Sequence, residues 1–126
     1  MSAGDPLGGS GVTRTYFMLQ VQDMARALAF YRSVLGEVIR VEGPQWSELK
    51  FGESTVALHA GGGAPRETGF VVEVADLDAA CAAVVAAGGR VAADPMLLPD
   101  GARIADVHDT EGNGFSLSST SGVTAF

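Results

Sequence analysis

His59 and His108 are the only histidines in this 126-residue chain, and imidazole is the side chain that titrates closest to neutrality. His59 ends a strand-like run, Ser54 to His59, two residues past Ala57 and on the same face. With Glu48 or Glu73 beside it, His59 could act as a general base. A histidine at the rim of a sheet with no chemical role is the plainer reading. His108 directly precedes Asp109. Neighbouring strand residues point to opposite faces, so a turn hydrogen bond is expected there rather than a catalytic pair. No serine stands in a nucleophile elbow, and a Ser-His-Asp triad has no support. Gly61, Gly62 and Gly63 lack the trailing Gly-Lys-Ser/Thr of a phosphate loop and do not open a helix. Cys81 is the single cysteine, which excludes an intrachain disulfide and a multi-cysteine zinc site. In its Ala-rich surroundings it reads as a small packed hydrophobe. The remaining resource is aromatic: Tyr16 and Trp46 could stack on a flat ligand that Gln20, Glu48 and His59 orient.

These residues must be placed by secondary structure, and the chain states its plan twice. Val21 to Gly36 (VQDMARALAFYRSVLG) is echoed by Val74 to Gly89 (VADLDAACAAVVAAGG) at an offset of 53 residues. An internal echo sets architecture before any other signal, and two copies indicate a duplicated module rather than a solenoid. Phe17, Leu19 and Val21 take one face of a first strand, and Tyr16, Met18 and Gln20 the other. Asp23 is a helix N-cap, and Met24, Ala27, Leu28, Tyr31 and Leu35 form its buried stripe up to a stop at Gly36. Strands follow at Glu37 to Glu42, Trp46 to Phe51 and Ser54 to His59. After the Gly/Pro linker at 61–67, the second copy has a strand at Thr68 to Val74, an Asp76-capped helix at Leu77 to Ala87, and strands at Arg90 to Ala93, Ala102 to His108 and Gly114 to Ser119. Pro95 to Leu98 is a candidate extension of the first of these. Each half thus reads βαβββ, with helices on one face of the sheet, in the α+β class. The expected layout is a disordered tail at 1–13, one domain at 14–119 in modules 14–60 and 68–119, and a tail at 120–126.

Bulk properties narrow the partners. The length fits one domain with a sizeable core. Hydrophobic residues make up 47% and mean hydropathy is +0.22, which suits a folded soluble protein. A net charge of −7 and only 8 Lys+Arg argue against nucleic acid and anionic membrane surfaces. The first residues carry neither a basic nor an apolar signal region, and no apolar run approaches a membrane span. A cytoplasmic location is the expectation.

The duplicated βαβββ unit, Val21-Gln22-Asp23 followed by FYRSVLG at Phe30 to Gly36, and the turn Asp109-Thr110-Glu111-Gly112-Asn113 together resemble the vicinal oxygen chelate superfamily. That superfamily includes glyoxalase I, bleomycin-resistance proteins, fosfomycin-resistance transferases and extradiol dioxygenases. The resemblance spans roughly Arg14 to Ser119; proline is usual in the family where Thr110 stands. It implies two tandem modules forming a curved mixed sheet around a small-molecule cavity, with helices outside, often completed by a homodimer. It also implies a divalent metal at four strand positions carrying His, Glu or Gln. Carried over residue by residue, these fall on Tyr16, Ala57 (or Leu58 if the register slips), Gly69 and Ser116, none of which is a histidine or a carboxylate. A hard or borderline divalent ion needs several such ligands converging. The expectation is therefore no metal and no other cofactor.

On the cavity face that the resemblance implies, strand alternation places Tyr16, Met18, Gln20, Trp46, Glu48, Lys50, Thr55, Ala57 and His59 in the first module. The second adds Gly69, Val71, Glu73, Ser116 and Ser118. Gly69, in place of a ligating side chain, would leave room for a bulky ligand. The leading reading is a metal-free binding protein like the bleomycin-resistance branch, which sequesters a planar aromatic or amphiphilic compound through Tyr16, Met18, Gln20, Trp46, Glu48, His59, Gly69, Glu73 and Ser116. On this reading Glu48 or Glu73 could pair with a cationic ligand. The alternative is a glyoxalase-like lyase or isomerase with an off-pattern metal or a metal-free acid-base site, with His59 and Glu48 as catalytic candidates. A module that mainly dimerises is the third.

Overall fold

The computed structural model describes residues 11–120. Strand β1 (Phe17–Val21) leads into helix α1 (Met24–Leu35) and then β2 (Val38–Val41), β3 (Trp46–Phe51) and β4 (Ser54–Ala60). The second copy runs β5 (Glu67–Glu73), α2 (Leu77–Ala86), β6 (Arg90–Leu97), β7 (Arg103–His108) and β8 (Gly114–Ser119). The strands form two four-stranded sheets, ordered β1-β4-β3-β2 and β5-β8-β7-β6. In each, the first and last strands of the module pair in parallel and the remaining pairs are antiparallel. This is the twice-repeated βαβββ, α+β architecture expected from the repeat. Most of the two expected tails, residues 1–10 and 121–126, lies outside the described residues.

Local chemistry sets the element ends. The Asp23 carboxylate accepts from the Arg26 N–H at 3.0 Å, and Asp76 accepts from the Ala79 N–H at the same distance. Each removes one unpaired donor from a helix start. Gly36 ends α1 with φ 62°, a left-handed conformation that costs glycine little. Strand β6 joins two segments that the sequence suggests separately. Pro95 cannot donate to a ladder, so the strand continues past it only with a register irregularity between Ala93 and Met96.

Strand alternation divides each sheet into an apolar and an open face. Leu19, Val21, Leu49, Val56 and Leu58 of the first sheet join Phe70, Ala105, Val107, Phe115 and Leu117 of the second in one continuous core with both helices. Phe30 lies outside the expected stripe of α1 yet is buried. The helix packs on the second module as well: Phe30 fills the space beside Gly89, where a Cβ would also strike the His108 carbonyl. No helix among the described residues is long and apolar enough to cross a membrane.

The turn from Asp109 to Asn113 locks the modules together. Tyr31 donates its hydroxyl to Asp109 Oδ2 at 2.6 Å, and Asn113 Nδ2 donates to the Gln20 carbonyl at 2.8 Å. Burial, then the neighbouring Asp109 carboxylate, pushes the Tyr31 phenol well above its ordinary pKa. Glu111 reaches the start of α1, accepting from the Gln22 and Asp23 N–H groups at 2.8 and 2.9 Å and from Arg26 Nε at 2.7 Å. Its side chain is fully buried. Burial works against its charge, but the bonds from Arg26, the Asp23 and Gln22 amides and the Thr110 hydroxyl outweigh it and bring its pKa to about 2.

The folded pKa is depressed from an ordinary value of 4.5, so the stabilisation is complete above that value and is lost as pH falls toward 2. Glu111→Ala should lower unfolding stability at pH 7 by about 2–4 kcal/mol, because buried N–H donors lose their acceptor. Urea denaturation at pH 7 and again near pH 3 checks both parts. The gap between wild type and variant should be widest at pH 7 and should narrow on acidification.

Candidate functional site

The open face of the first sheet brings together six of the expected residues. Register places Gln20 beside His59 and His59 beside Trp46 in one row, and Met18, Ala57 and Glu48 in the next. The His59 Nδ1 lies 3.1 Å from Gln20 Oε1, and Gln20 Nε2 lies 3.7 Å from Met18 Sδ. Trp46 is tilted against the His59 ring with centroids 6.0 Å apart, and meets Tyr16 edge-on at 6.4 Å. Tyr16 is 46% exposed and precedes the hydrogen-bonded part of β1.

Glu48 is the electrostatic centre of this face. It is buried, and its carboxylate accepts from the Trp46 indole N–H at 2.9 Å, from Arg14 at 3.0 Å and from Arg40. The indole bond holds its pKa below the ordinary carboxylate range; burial opposes this, and the two guanidinium bonds reinforce it. With its charge already compensated, Glu48 is not available to pair with a cationic ligand. Nor is it bonded to His59, whose hydrogen bond goes to Gln20. The Arg14 guanidinium also sits 4.4 Å above the Tyr16 ring, a cation–π arrangement.

Neither arginine follows from the strand pattern. Arg14 precedes β1, and Arg40 lies where the β2–β3 register shifts between Ile39 and Val41. Such a bulge sets two residues against one, so Arg40 and Val41 both meet Glu48. Arg14 and Arg40 stand 34 and 8 residues from Glu48 in the chain, so no local pattern signals either contact.

The second module's candidates lie on the open face of the other sheet, apart from this cluster. Ser116 donates to Asp106 Oδ1 at 2.8 Å, and Glu73 is exposed. Gly69 has φ +78° and open space around its missing Cβ, so its backbone conformation, as well as room, calls for glycine. His108 does not bond within its turn. Its Nε2 lies 2.7 Å from Glu67 across Gly114, where a side chain would collide with the Glu67 carboxylate. Cys81 is buried, and burial raises its thiol pKa, as befits a packing role. A cleft of about 370 Å³ opens between the end of α1, the β3–β4 turn and β5. Of the residues expected on the cavity face, Val71 and Glu73 line it, and its walls include Val34, Leu35 and Phe51. Its lining mixes these with the polar Glu53, Ser54 and Glu73, but only the first-sheet face gathers three rings, Tyr16, Trp46 and His59, beside Gln20 and Glu48, so that face is the better candidate site.

Residues 13–117 match the model of the Glyoxalase/Bleomycin resistance protein/Dioxygenase superfamily, and the chain belongs to that superfamily. Its fold is similar to that of a family enzyme from Burkholderia phytofirmans PsJN, with a TM-score of 0.72 at 18% identity over 82% of this chain and 95% of that one. A glyoxalase/bleomycin resistance protein from Albidiferax ferrireducens T118 gives 0.71 at 19% identity, over 86% and 98%. Lactoylglutathione lyase from Agrobacterium tumefaciens gives 0.65 at 19% identity, over 86% and 94%. No curated protein matches. Metal-dependent members of the family would hold an ion at the positions of Tyr16, Ala57, Gly69 and Ser116, and these residues do not fit one. A methyl group and a hydrogen donate nothing, and Ser116 is engaged with Asp106. Among the described residues, no group of three or more His, Cys, Asp or Glu could hold a metal ion.

The Gly69 geometry generates a test of its role. Gly69→Ala should cost about 1–2 kcal/mol, since a Cβ is strained in the left-handed region, although its methyl group meets nothing within 4 Å. Gly69→Asn should cost less. Equal stability of the glycine and alanine proteins in urea would show that space alone selects glycine here.

Proposed function

We propose that this protein binds a planar aromatic or amphiphilic small molecule on the open face of the first sheet, sequestering it without a family-type metal. The observation that carries this reading is the substitution of an aromatic–polar array for a ligand set. Tyr16, Trp46 and His59 present ring surface, while the metal positions carry Tyr16, Ala57, Gly69 and Ser116. Apolar and aromatic surface with a few oriented polar groups is the composition of a small-molecule site. The lyase or isomerase reading is less well supported. His59 is oriented by the neutral Gln20 amide at 3.1 Å rather than by a carboxylate, and the Glu48 that would pair with it is bound instead to Trp46, Arg14 and Arg40.

Trp46 is the sole tryptophan, so a panel of planar compounds should quench or shift its emission on binding. Stacking on an aromatic contributes roughly 0.5–1.5 kcal/mol beyond area burial, so Trp46→Ala and Tyr16→Ala should each weaken a verified ligand by about 2- to 12-fold. Calorimetry on folded variants gives the measurement. Affinity should be unchanged after exhaustive dialysis against a chelator. Wild-type affinity in both variants would remove the site, and loss of binding with the chelator would restore the metalloprotein reading.

Closure of the face belongs to the same proposal, with a second copy of the chain as the closing element. Tyr16 and Val41 beside the site, and Val71 and Met96 on the other sheet, are large apolar side chains left exposed. The outer strands β2 and β6, which carry Val41 and Met96, each pair on one side only, and unpaired edges need cover. Light scattering at micromolar concentration should give the mass of a dimer; a monomer mass throughout would refute this part alone.

A further inference from the structure

We propose that the first-sheet face selects an anion: a planar aromatic ligand carrying a carboxylate or an equivalent oxyanion. This rests on the binding function proposed above and specifies the charge of its ligand. Among the described residues, the cationic side chains on this face outnumber its carboxylates. Glu48 is the partner of both Arg14 and Arg40, and Lys50 stands exposed on the same side of β3 as Glu48. One carboxylate cannot neutralise three cations, so the face keeps a positive excess within a chain whose net charge is −7.

The donors are also unspent. A guanidinium carries five N–H groups in a fixed fork suited to planar oxyanions. Arg40 gives Glu48 one nitrogen, Nη1, and Arg14 gives its two Nη atoms, the second at a long 3.5 Å. The two arginine side chains remain 49% and 38% exposed, whereas Glu48 is 8% exposed and fully engaged. A ligand approaching this face therefore meets available donors and no available acceptor of comparable charge. The rings stand alongside: Tyr16 lies under Arg14, and Trp46 lies between Tyr16 and His59. A ring against Trp46 with its carboxylate toward Arg40 satisfies both surfaces. Glu48 acts here as a positioning residue that holds the arginines over the face, and the exposed carboxylates Glu73 and Asp106 belong to the other sheet.

Three ligands of nearly the same shape separate this from its rivals: 2-naphthoate, 2-naphthamide and 2-naphthylmethylammonium, titrated into the full chain by calorimetry and Trp46 emission. The expected order is naphthoate first, about tenfold or more tighter than the ammonium compound, as one charge-assisted hydrogen bond allows. Raising salt from about 50 mM to about 500 mM should weaken naphthoate and leave naphthamide unaffected, because screening acts on the charged pair. Arg40→Gln should reduce naphthoate binding about tenfold and spare naphthamide. Preference for the ammonium compound, or equal and salt-independent binding of all three, overturns the anion assignment and leaves the binding function standing. The same holds if a second copy's carboxylates already satisfy the arginines, because naphthoate would then lose its advantage in the wild type. Failure of all three to bind folded protein overturns the anion assignment together with the binding function.

Discussion

The buried carboxylate of Glu111 at the start of α1 is the contact on which the joined architecture depends. A helix N-terminus presents unpaired N–H groups and partial positive charge, and an anion placed there is favoured. The first module offers only Asp23 for this purpose, and its carboxylate serves the Arg26 amide. The Gln22 and Asp23 amides are satisfied from the second module, 89 and 88 residues further along the chain. Asp109 and Asn113 hold the turn in shape through bonds to the Glu111 and Asn113 amides and to Arg66. A segment with the composition of a surface turn is thus an internal fastener.

Much of the fold is legible because its signals are local. Asp23 and Asp76 mark helix starts, Gly36 marks a helix stop, and alternation in β1, β3 and β4 separates the core from the open face. What could not be read depends on contacts between distant residues. Phe30 lies off the stripe of an ordinary amphipathic helix and is buried because α1 touches both modules. Pro95 suggests a strand break where a bulge suffices. Asp109 to Asn113 reads correctly as a turn, but no short-range pattern announces that Asp109, Glu111 and Asn113 are buried.

The site divides in the same way. Parity groups Tyr16, Met18, Gln20, Trp46, Glu48 and His59 on one face, and the structure brings these side chains into one cluster. The electrostatic character of that cluster was not legible, because it is set by a residue before the first strand and another at a bulge. Glu48 reads from the sequence as an acid awaiting a cation; its surroundings make it the anchor of two arginines. Likewise, His108 beside Asp109 suggests a turn contact, while its partner is Glu67, admitted by the missing side chain of Gly114.

The two halves of the duplication differ at their last hairpins. In the first module, Phe51 and Ser54 flank a two-residue connection; in the second, five residues separate β7 from β8. Only the longer loop reaches across to the other half's helix. An ancestral half that assembled as a symmetric pair would have made any such bridge twice, once in each direction. In the fused chain the bridge runs one way, so the halves have become a donor and a recipient. Neither is any longer a spare copy of the other: fusing two first halves would leave α1 without its fastener.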